Sequence, residues 1–258
     1  MQSPGLPHKV DFLGAPLSVL TMQRAVQLAA EAIATGKSWQ QGCLSSAVLA
    51  RLQSDSVLRD AFWSFDLVTA DGQGIVWGAR ALGYQVPHRI SGIDLMEALL
   101  AEASRTGYRV YFLGAEPHVL DRALEVVAQT YRGVVVAGAH HGYFSSGEEA
   151  RVVDEINSSS SDLLFVALPT PAKELFLKRN RGKLDVRFCV GVGGSLDVVA
   201  GLRWRAPRWM RSAGLEWLAR LVQEPRRLGP RFLVGNSRYV RLVVAEFLQQ
   251  RTRRAEEV

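Results

Sequence analysis

Arg109-Val110-Tyr111-Phe112-Leu113 is a short run, apolar after its first residue, and a helical pattern from about Pro117 to Gln129 follows it. The same alternation returns three times. Val134-Val135-Val136-Ala137 precedes a helical pattern over about 147–157, Asp162-Leu163-Leu164-Phe165-Val166-Ala167 precedes one over about 171–181, and Val186 to Val190 leads through a turn to a short helix near Leu196. Continuous apolar runs of this length suit strands covered on both faces, and their alternation with helices gives right-handed βαβ units. The expected fold class is therefore α/β, with a mainly parallel sheet and flanking helices.

Outside this stretch the pattern weakens. Toward the N-terminus, Val10 to Leu13 reads as a strand, Thr21 to Ala34 has amphipathic helical spacing and Ser54 to Trp63 reads as a helix. After Gly201 the alternation stops. Trp204, Trp209 and Trp217 are interleaved with Arg203, Arg205, Arg208, Arg211 and Arg220. Glu224-Pro225-Arg226-Arg227 and Gly229-Pro230 then break the chain before a last helical stretch from about Arg231 to Gln250. Two parts are expected: an α/β domain over 1–201 and a basic helical appendage over 202–258.

The 258 residues, 48% of them hydrophobic, suffice for a substantial core and argue against disorder. The charge is unevenly spread. Residues 201–258 hold 13 arginines, no lysine and 5 acids, a net of +8, whereas residues 1–200 carry a net of −2. Such a tail suits nucleic acid, an anionic membrane or a phosphorylated substrate, and composition does not choose among them. Cys43 and Cys189 are too few for a disulfide framework and are expected reduced. No signal-peptide pattern opens the sequence and no apolar stretch approaches the ~18 residues of a spanning helix, so any membrane contact is expected to be peripheral.

Leu67-Val68-Thr69-Ala70 is a further apolar run, and it ends in Asp71-Gly72-Gln73-Gly74. A carboxylate there stands at the carboxyl edge of an α/β sheet, where such folds bind ligands. Asp71 equally fits a cap for a helix running toward Leu82, and the residues alone leave both roles open. In the following Pro87-His88-Arg89-Ile90-Ser91-Gly92-Ile93-Asp94-Leu95, Arg89 offers a cation for phosphate and Gly92 a close backbone approach. Ser91-x-x-Asp94 reads locally as a helix-capping box, a structural role for Asp94. Gly191-Val192-Gly193-Gly194-Ser195 follows a strand and could cradle a phosphate with its N–H groups, although it lacks the spacing of a P-loop or a dinucleotide fingerprint. His140-His141 has no carboxylate or cysteine at ligand spacing, and no metal is expected there.

Three segments together resemble the WecG/TagA/CpsF glycosyltransferases, glycosyltransferase family 26. They are Ala70-Asp71-Gly72-x-Gly74 with Arg89-x-x-Gly92-Ile93-Asp94, then His141-Gly142-Tyr143-Phe144, then the stretch from Gly191-Val192-Gly193-Gly194-Ser195 and Asp197. That last segment continues through Arg205-Ala206-Pro207-Arg208-Trp209 and Gly214-Leu215-Glu216-Trp217 into Glu224-Pro225-Arg226-Arg227. The resemblance implies a modified Rossmann-like sheet and a peripheral enzyme at the cytoplasmic face of the bacterial inner membrane. It implies an inverting transfer from a UDP-sugar, UDP-N-acetylmannosamine or UDP-glucose, to an undecaprenyl-diphosphate-linked sugar in cell-surface polysaccharide or teichoic acid synthesis.

Carried over by motif, Asp71 looks like the catalytic base, with Arg89 beside it. Gly72, Gly92, Asp94, Gly193, Gly194, Ser195 and Asp197 fall at substrate-binding positions, and Arg220, Arg226 and Arg227 are candidates to face diphosphate. No metal or other cofactor is implied, and the sequence contains no Asp-x-Asp. Two segments depart from the family pattern: Cys43-Leu44-Ser45 stands where Thr-Pro-Asn is common, and Pro171-Ala172-Lys173-Glu174 where Pro-Lys-Gln-Glu is common. Both lie near the family's site, which makes Lys173 a substrate-binding candidate and leaves the donor sugar open. The residues leave room for two rival readings, a nucleic-acid surface on the tail and a nicotinamide enzyme, and no nucleic-acid partner is expected. A homo-oligomer is compatible with the sequence but not implied by it.

Overall fold

The computed structural model of the chain describes residues 5–207, 210, 215–223 and 225–256, with the side chains at 216, 217, 220, 225–234 and 254–256 outside that description. The described chain opens with a hairpin. β1 (Lys9–Phe12) and β2 (Ala15–Ser18) pair antiparallel across Leu13 and Gly14, both at positive φ as a tight two-residue turn requires. Six strands then build the sheet: β3 (Trp39–Leu44), β4 (Leu67–Ala70), β5 (Arg109–Gly114), β6 (Val135–His140), β7 (Leu163–Ala167) and β8 (Phe188–Gly191). Their order is β4-β3-β8-β7-β5-β6, and every pairing is parallel. The α/β, Rossmann-like architecture expected from the sequence is the one the chain forms.

Period-two alternation along the strands divides the core between the two faces of the sheet. In β7, Leu164 and Val166 join one apolar cluster while Leu163, Phe165 and Ala167 join the other. The first face is covered by α2 (Ser46–Leu52), α3 (Ser56–Ser64), α7 (Glu149–Ser158) and α8 (Ala172–Arg179). The second carries α1 (Met22–Thr35), α5 (Gly92–Thr106), α6 (Pro117–Thr130) and the short α9 (Ser195–Val199). Local signals fix the helix ends. Thr21, Ser45 and Ser91 cap α1, α2 and α5 through their hydroxyls, while Gly36 and Gly107 end α1 and α5 in the left-handed conformation.

The strand that escapes the apolar pattern is β3, which reads Trp-Gln-Gln-Gly-Cys-Leu yet is buried at every position. The amide nitrogens of its two glutamines find partners inside the protein, whereas Gln40 Oε1 and Gln41 Oε1 are buried with no hydrogen-bond partner among the described residues. Gln40 Nε2 donates to the Leu177 carbonyl at 2.9 Å, and Gln41 Nε2 donates to the Gly42 carbonyl at 2.7 Å and to Thr69 Oγ1 at 2.8 Å. Gly42 is required because a Cβ there would lie 2.5 Å from the Phe65 ring.

Beyond the sheet, α10 (Glu216–Gln223) precedes α11 (Pro225–Glu256). The break expected at Gly229-Pro230 does not occur. Pro230 lies in the second turn, where its missing N–H removes a single helical bond, and the helix runs on. This helix packs on α2 and on α4 (Gln73–Ala81), with Gly235 against Ala47. Tyr239 is buried, and its hydroxyl donates to the Gly74 carbonyl at 2.7 Å. Gly74 and Gly78, four residues apart on α4, leave room for it: a Cβ on Gly78 would lie 2.0 Å from the Tyr239 hydroxyl oxygen. Gly78→Ala is therefore expected to displace α11 and cost about 1–3 kcal/mol. Chemical denaturation together with limited proteolysis of the 225–256 segment measures both, and an alanine variant with parental stability and protection would contradict this packing.

Candidate active site

Strand β4 delivers Asp71 to the carboxyl edge, where the Asp71 backbone N–H donates to the Leu44 carbonyl at 2.8 Å. The chain then turns through Gly72, whose φ of 109° is open to glycine and strained for other residues. Gly72 is the cap position of α4, and no side chain caps that helix. The capping role that the sequence left open for Asp71 is therefore not the one it takes.

Asp71, Gly72 and Arg89 line one cleft of about 520 Å³. Ser45 and Ser46 form its floor, Trp77 of α4 one flank, and Asn236, Tyr239 and Val240 of α11 the other. Arg89 is largely buried and is oriented by Asp94, with Nη2 to Oδ2 at 2.7 Å. Asp94 also accepts from the Ser91 hydroxyl at 2.6 Å, and Arg205 binds its other oxygen while reaching Glu97 at 2.5 Å. The capping box is thus half formed: Ser91 Oγ accepts from the Asp94 N–H at 3.3 Å, while the Asp94 carboxylate is turned to two arginines. Asp94 positions Arg89 and ties the segment after β8 to α5.

The neighbouring strand ends converge on the same region. A Cβ on Gly92 would meet Cys43 Sγ and the Gly191 carbonyl oxygen, each at 3.3 Å, so the start of α5 sits directly against β3 and β8. Burial, aided by the nearby Asp71 carboxylate, pushes the Cys43 thiol up to about 12, partly countered by hydrogen bonds from Gln41 and Thr69 and by the Lys173 ammonium. Cys43 is thus a neutral, unreactive thiol near both Asp71 and Lys173.

Lys173 is buried, with its stem over Gly191 and its Nζ 2.5 Å from Glu174 Oε1. Thr170 completes the cluster, donating to Glu174 at 3.0 Å and bonded to Lys173. Glu174 Oε2 is buried with no hydrogen-bond partner among the described residues.

The glycine loop does not present an open cradle of N–H groups. Those of Val192 and Gly193 both point at the Val166 carbonyl, at 2.9 and 3.3 Å, and that of Ser195 at the Val192 carbonyl at 3.3 Å. Gly193 takes a φ of 55°, and the Ser195 hydroxyl is buried against the Val192 carbonyl at 2.7 Å. Gly194 adjoins Asp197 and Arg203, which pair at 3.3 Å. The side chains of Arg220, Arg226 and Arg227 lie outside the described residues. Successive side chains of a strand point to opposite faces, yet the ring centroids of His140 and His141 lie 4.7 Å apart, because His141 is already past the end of β6. Among the described residues no group of three or more histidines, cysteines or carboxylates gathers as a metal site.

Tyr239, Asn236 and Trp77 line the same cleft and had no place in the sequence reading. The spacing Gly74-x-x-x-Gly78 was the available signal, since two glycines one turn apart on a helix permit another helix to approach closely.

The profile of the Glycosyl transferase WecG/TagA/CpsF family matches residues 10–253, and the chain belongs to that family. Among curated proteins it is similar to the N-acetylglucosaminyldiphosphoundecaprenol N-acetyl-beta-D-mannosaminyltransferase of Bacillus spizizenii, with 37% identity over 164 residues, 64% of this chain and 63% of the relative. Proteins of the same name from Staphylococcus aureus strain MW2 and Bacillus subtilis strain 168 are 34% and 32% identical. Those matches cover 63% and 65% of each chain, respectively, on both sides. The matched region thus spans somewhat under two thirds of these relatives.

Removing the lysine of a buried pair leaves the carboxylate uncompensated. Lys173→Met is expected to destabilise the fold by about 3–5 kcal/mol, and adding Glu174→Gln should recover part of that loss. Urea unfolding of the single and double variants measures both steps, and a Lys173→Met protein as stable as its parent would mean that Glu174 is compensated elsewhere.

Proposed function

We propose that this protein is an inverting glycosyltransferase that moves a sugar from a UDP donor to an undecaprenyl-diphosphate-linked sugar. The observation that carries the reading is the pairing of Asp71 and Arg89 in one cleft at the carboxyl edge of a parallel sheet. Family membership supports it, as do the names of the relatives, which specify an N-acetylglucosaminyldiphosphoundecaprenol acceptor and an N-acetylmannosaminyl group.

In this scheme Asp71 takes the proton of the acceptor hydroxyl as its oxygen attacks the anomeric carbon. The new C–O bond forms on the face opposite the breaking bond to UDP, which inverts the centre, and UDP leaves with the bonding electrons. Arg89, oriented by Asp94, is proposed to balance phosphate charge in the cleft, both on the acceptor diphosphate and on the departing UDP. Arg220, Arg226 and Arg227 are proposed to add to that field, and Lys173, Gly92 and Gly193 to shape the donor pocket. Gly72, Gly194, Ser195 and Asp197 are proposed to hold the loops around it. No metal cofactor enters this reading.

The donor is UDP-N-acetylmannosamine or UDP-glucose. The relatives' names favour the first, while Cys43 and Lys173, at positions where the family pattern differs, keep the second open. A UDP-sugar panel assayed against undecaprenyl-diphosphate-linked N-acetylglucosamine and glucose, in excess EDTA, decides among donors. Asp71→Asn is expected to retain the fold and lose about 10²–10⁴-fold in kcat, since the amide is nearly isosteric but no base. Near-parental turnover in that variant would remove Asp71 from the chemistry.

The protein is further proposed to work at the cytoplasmic face of the bacterial inner membrane as a peripheral protein, through its basic segment 202–258. Among the described residues no helix is long and apolar enough to cross a membrane. At roughly 1 kcal/mol per basic residue near an anionic surface, half of the segment's excess charge would contribute about 4 kcal/mol. Flotation with anionic liposomes should therefore succeed at low salt and fail at high salt. Equal recovery at both ionic strengths would place the attachment on other forces.

A further inference from the structure

The cleft that holds Asp71 and Arg89 is chemically two-ended. Its inner end has a carboxylate, a guanidinium and two serines, whereas its outer end, between α4 and α11, is formed by Trp77, Ala81, Val240, Val243 and Val244. Trp77 and Val240 are each 55% exposed and Val244 49%, so large apolar side chains stand open to solvent along a trough that the rest of the cleft does not explain. From Gly74 to Ala81 the helix advances about 10 Å, and the apolar lining continues over that length. The trough is a built feature. Gly74 and Gly78 bring α11 close, and the Tyr239 hydroxyl fixes it on the Gly74 carbonyl, which sets Val240 and Val243 beside Trp77.

A ligand complementary to both ends has a polar, anionic head joined directly to a hydrocarbon. We infer that the trough between α4 and α11 binds the isoprenoid units nearest the diphosphate of the lipid-linked acceptor. The acceptor hydroxyl then lies at Asp71, the diphosphate near Arg89, and the first isoprene units against Trp77, Val240 and Val244. This assignment rests on the transferase reading for the nature of the acceptor. It adds that the lipid is recognised by the enzyme itself and not only by the bilayer around it, because each buried methylene contributes to binding.

The test is calorimetric titration in membrane-free buffer with farnesyl diphosphate, kept below its aggregation threshold, and with inorganic diphosphate. The parental protein should bind farnesyl diphosphate at least about tenfold more tightly than inorganic diphosphate. Val240→Thr with Val244→Thr, nearly isosteric and at exposed positions, should erase most of that gain and leave inorganic diphosphate binding unchanged. Trp77→Ala is the second variant and should act in the same direction, with circular dichroism verifying the fold of each.

Equal affinities for the two probes, no measurable binding of farnesyl diphosphate, or a gain that survives in both variants would overturn the assignment. So would variants that float less well with anionic vesicles yet keep the full farnesyl gain, since the trough would then be a membrane contact. If no UDP-sugar is transferred to any lipid-linked acceptor while the farnesyl gain is present and lost in the variants, the trough stands as an isoprenoid-diphosphate site and the transferase reading falls.

Discussion

Parallel pairing throughout the sheet is the constraint on which the rest of the molecule depends. When six strands run the same way, every chain segment leaving a strand does so at one edge, whatever its place in the sequence. Leu44, Ala70, Ala167 and Gly191 are widely separated along the chain, yet all four end strands that lie side by side. Asp71, Cys43 and Lys173 owe their proximity to this, and so does the contact of Gly92 with both β3 and β8. The strands contribute little chemistry themselves and a great deal of convergence.

Two clamps of different kinds hold the periphery to that edge. Around Asp94 the clamp is electrostatic: one carboxylate gathers Arg89, Ser91 and Arg205, so the segment after β8 and the start of α5 share a single anchor. It also fixes the direction of the Arg89 guanidinium, which an exposed arginine would not keep. On the far side of the cleft the clamp is steric, with Tyr239 lodged over two glycines. Within the C-terminal segment itself, the Gln223 amide bonds both the N–H and the carbonyl of Trp204 at 2.9 Å.

The sheet was legible where its strands are apolar, because burial on both faces forces uninterrupted runs such as Leu163 to Ala167. It was illegible at β3, the strand at the centre of the site, where two glutamines and a glycine stand in for aliphatic residues. Their burial depends on Thr69, Leu177 and Phe65, partners that no local window contains. That Asp71 and Arg89 would share one cleft was legible because an acid after an apolar run and an arginine ahead of a capped helix are local signals. The Gly74 and Gly78 spacing signals a closely approaching helix but not which one, since the α11 wall is set by Tyr239, roughly 160 residues further along the chain. The glycine loop misled in the opposite sense: the sequence suggests open N–H donors, but the Val166 and Val192 carbonyls have already taken three of them.

The seating of Tyr239 has a practical consequence for handling the protein. Contacts made by a buried ring and a hydrogen bond to backbone are indifferent to ionic strength, unlike the arginine-rich surface of the same segment. Concentrated salt would thus leave the cleft wall in place, and protein handled in it should retain a formed cleft. Detergents pose the opposite hazard. An alkyl chain has the shape and polarity to lie against Trp77 and Val244, so solubilisation with detergent would risk occupying the cleft it was meant to preserve.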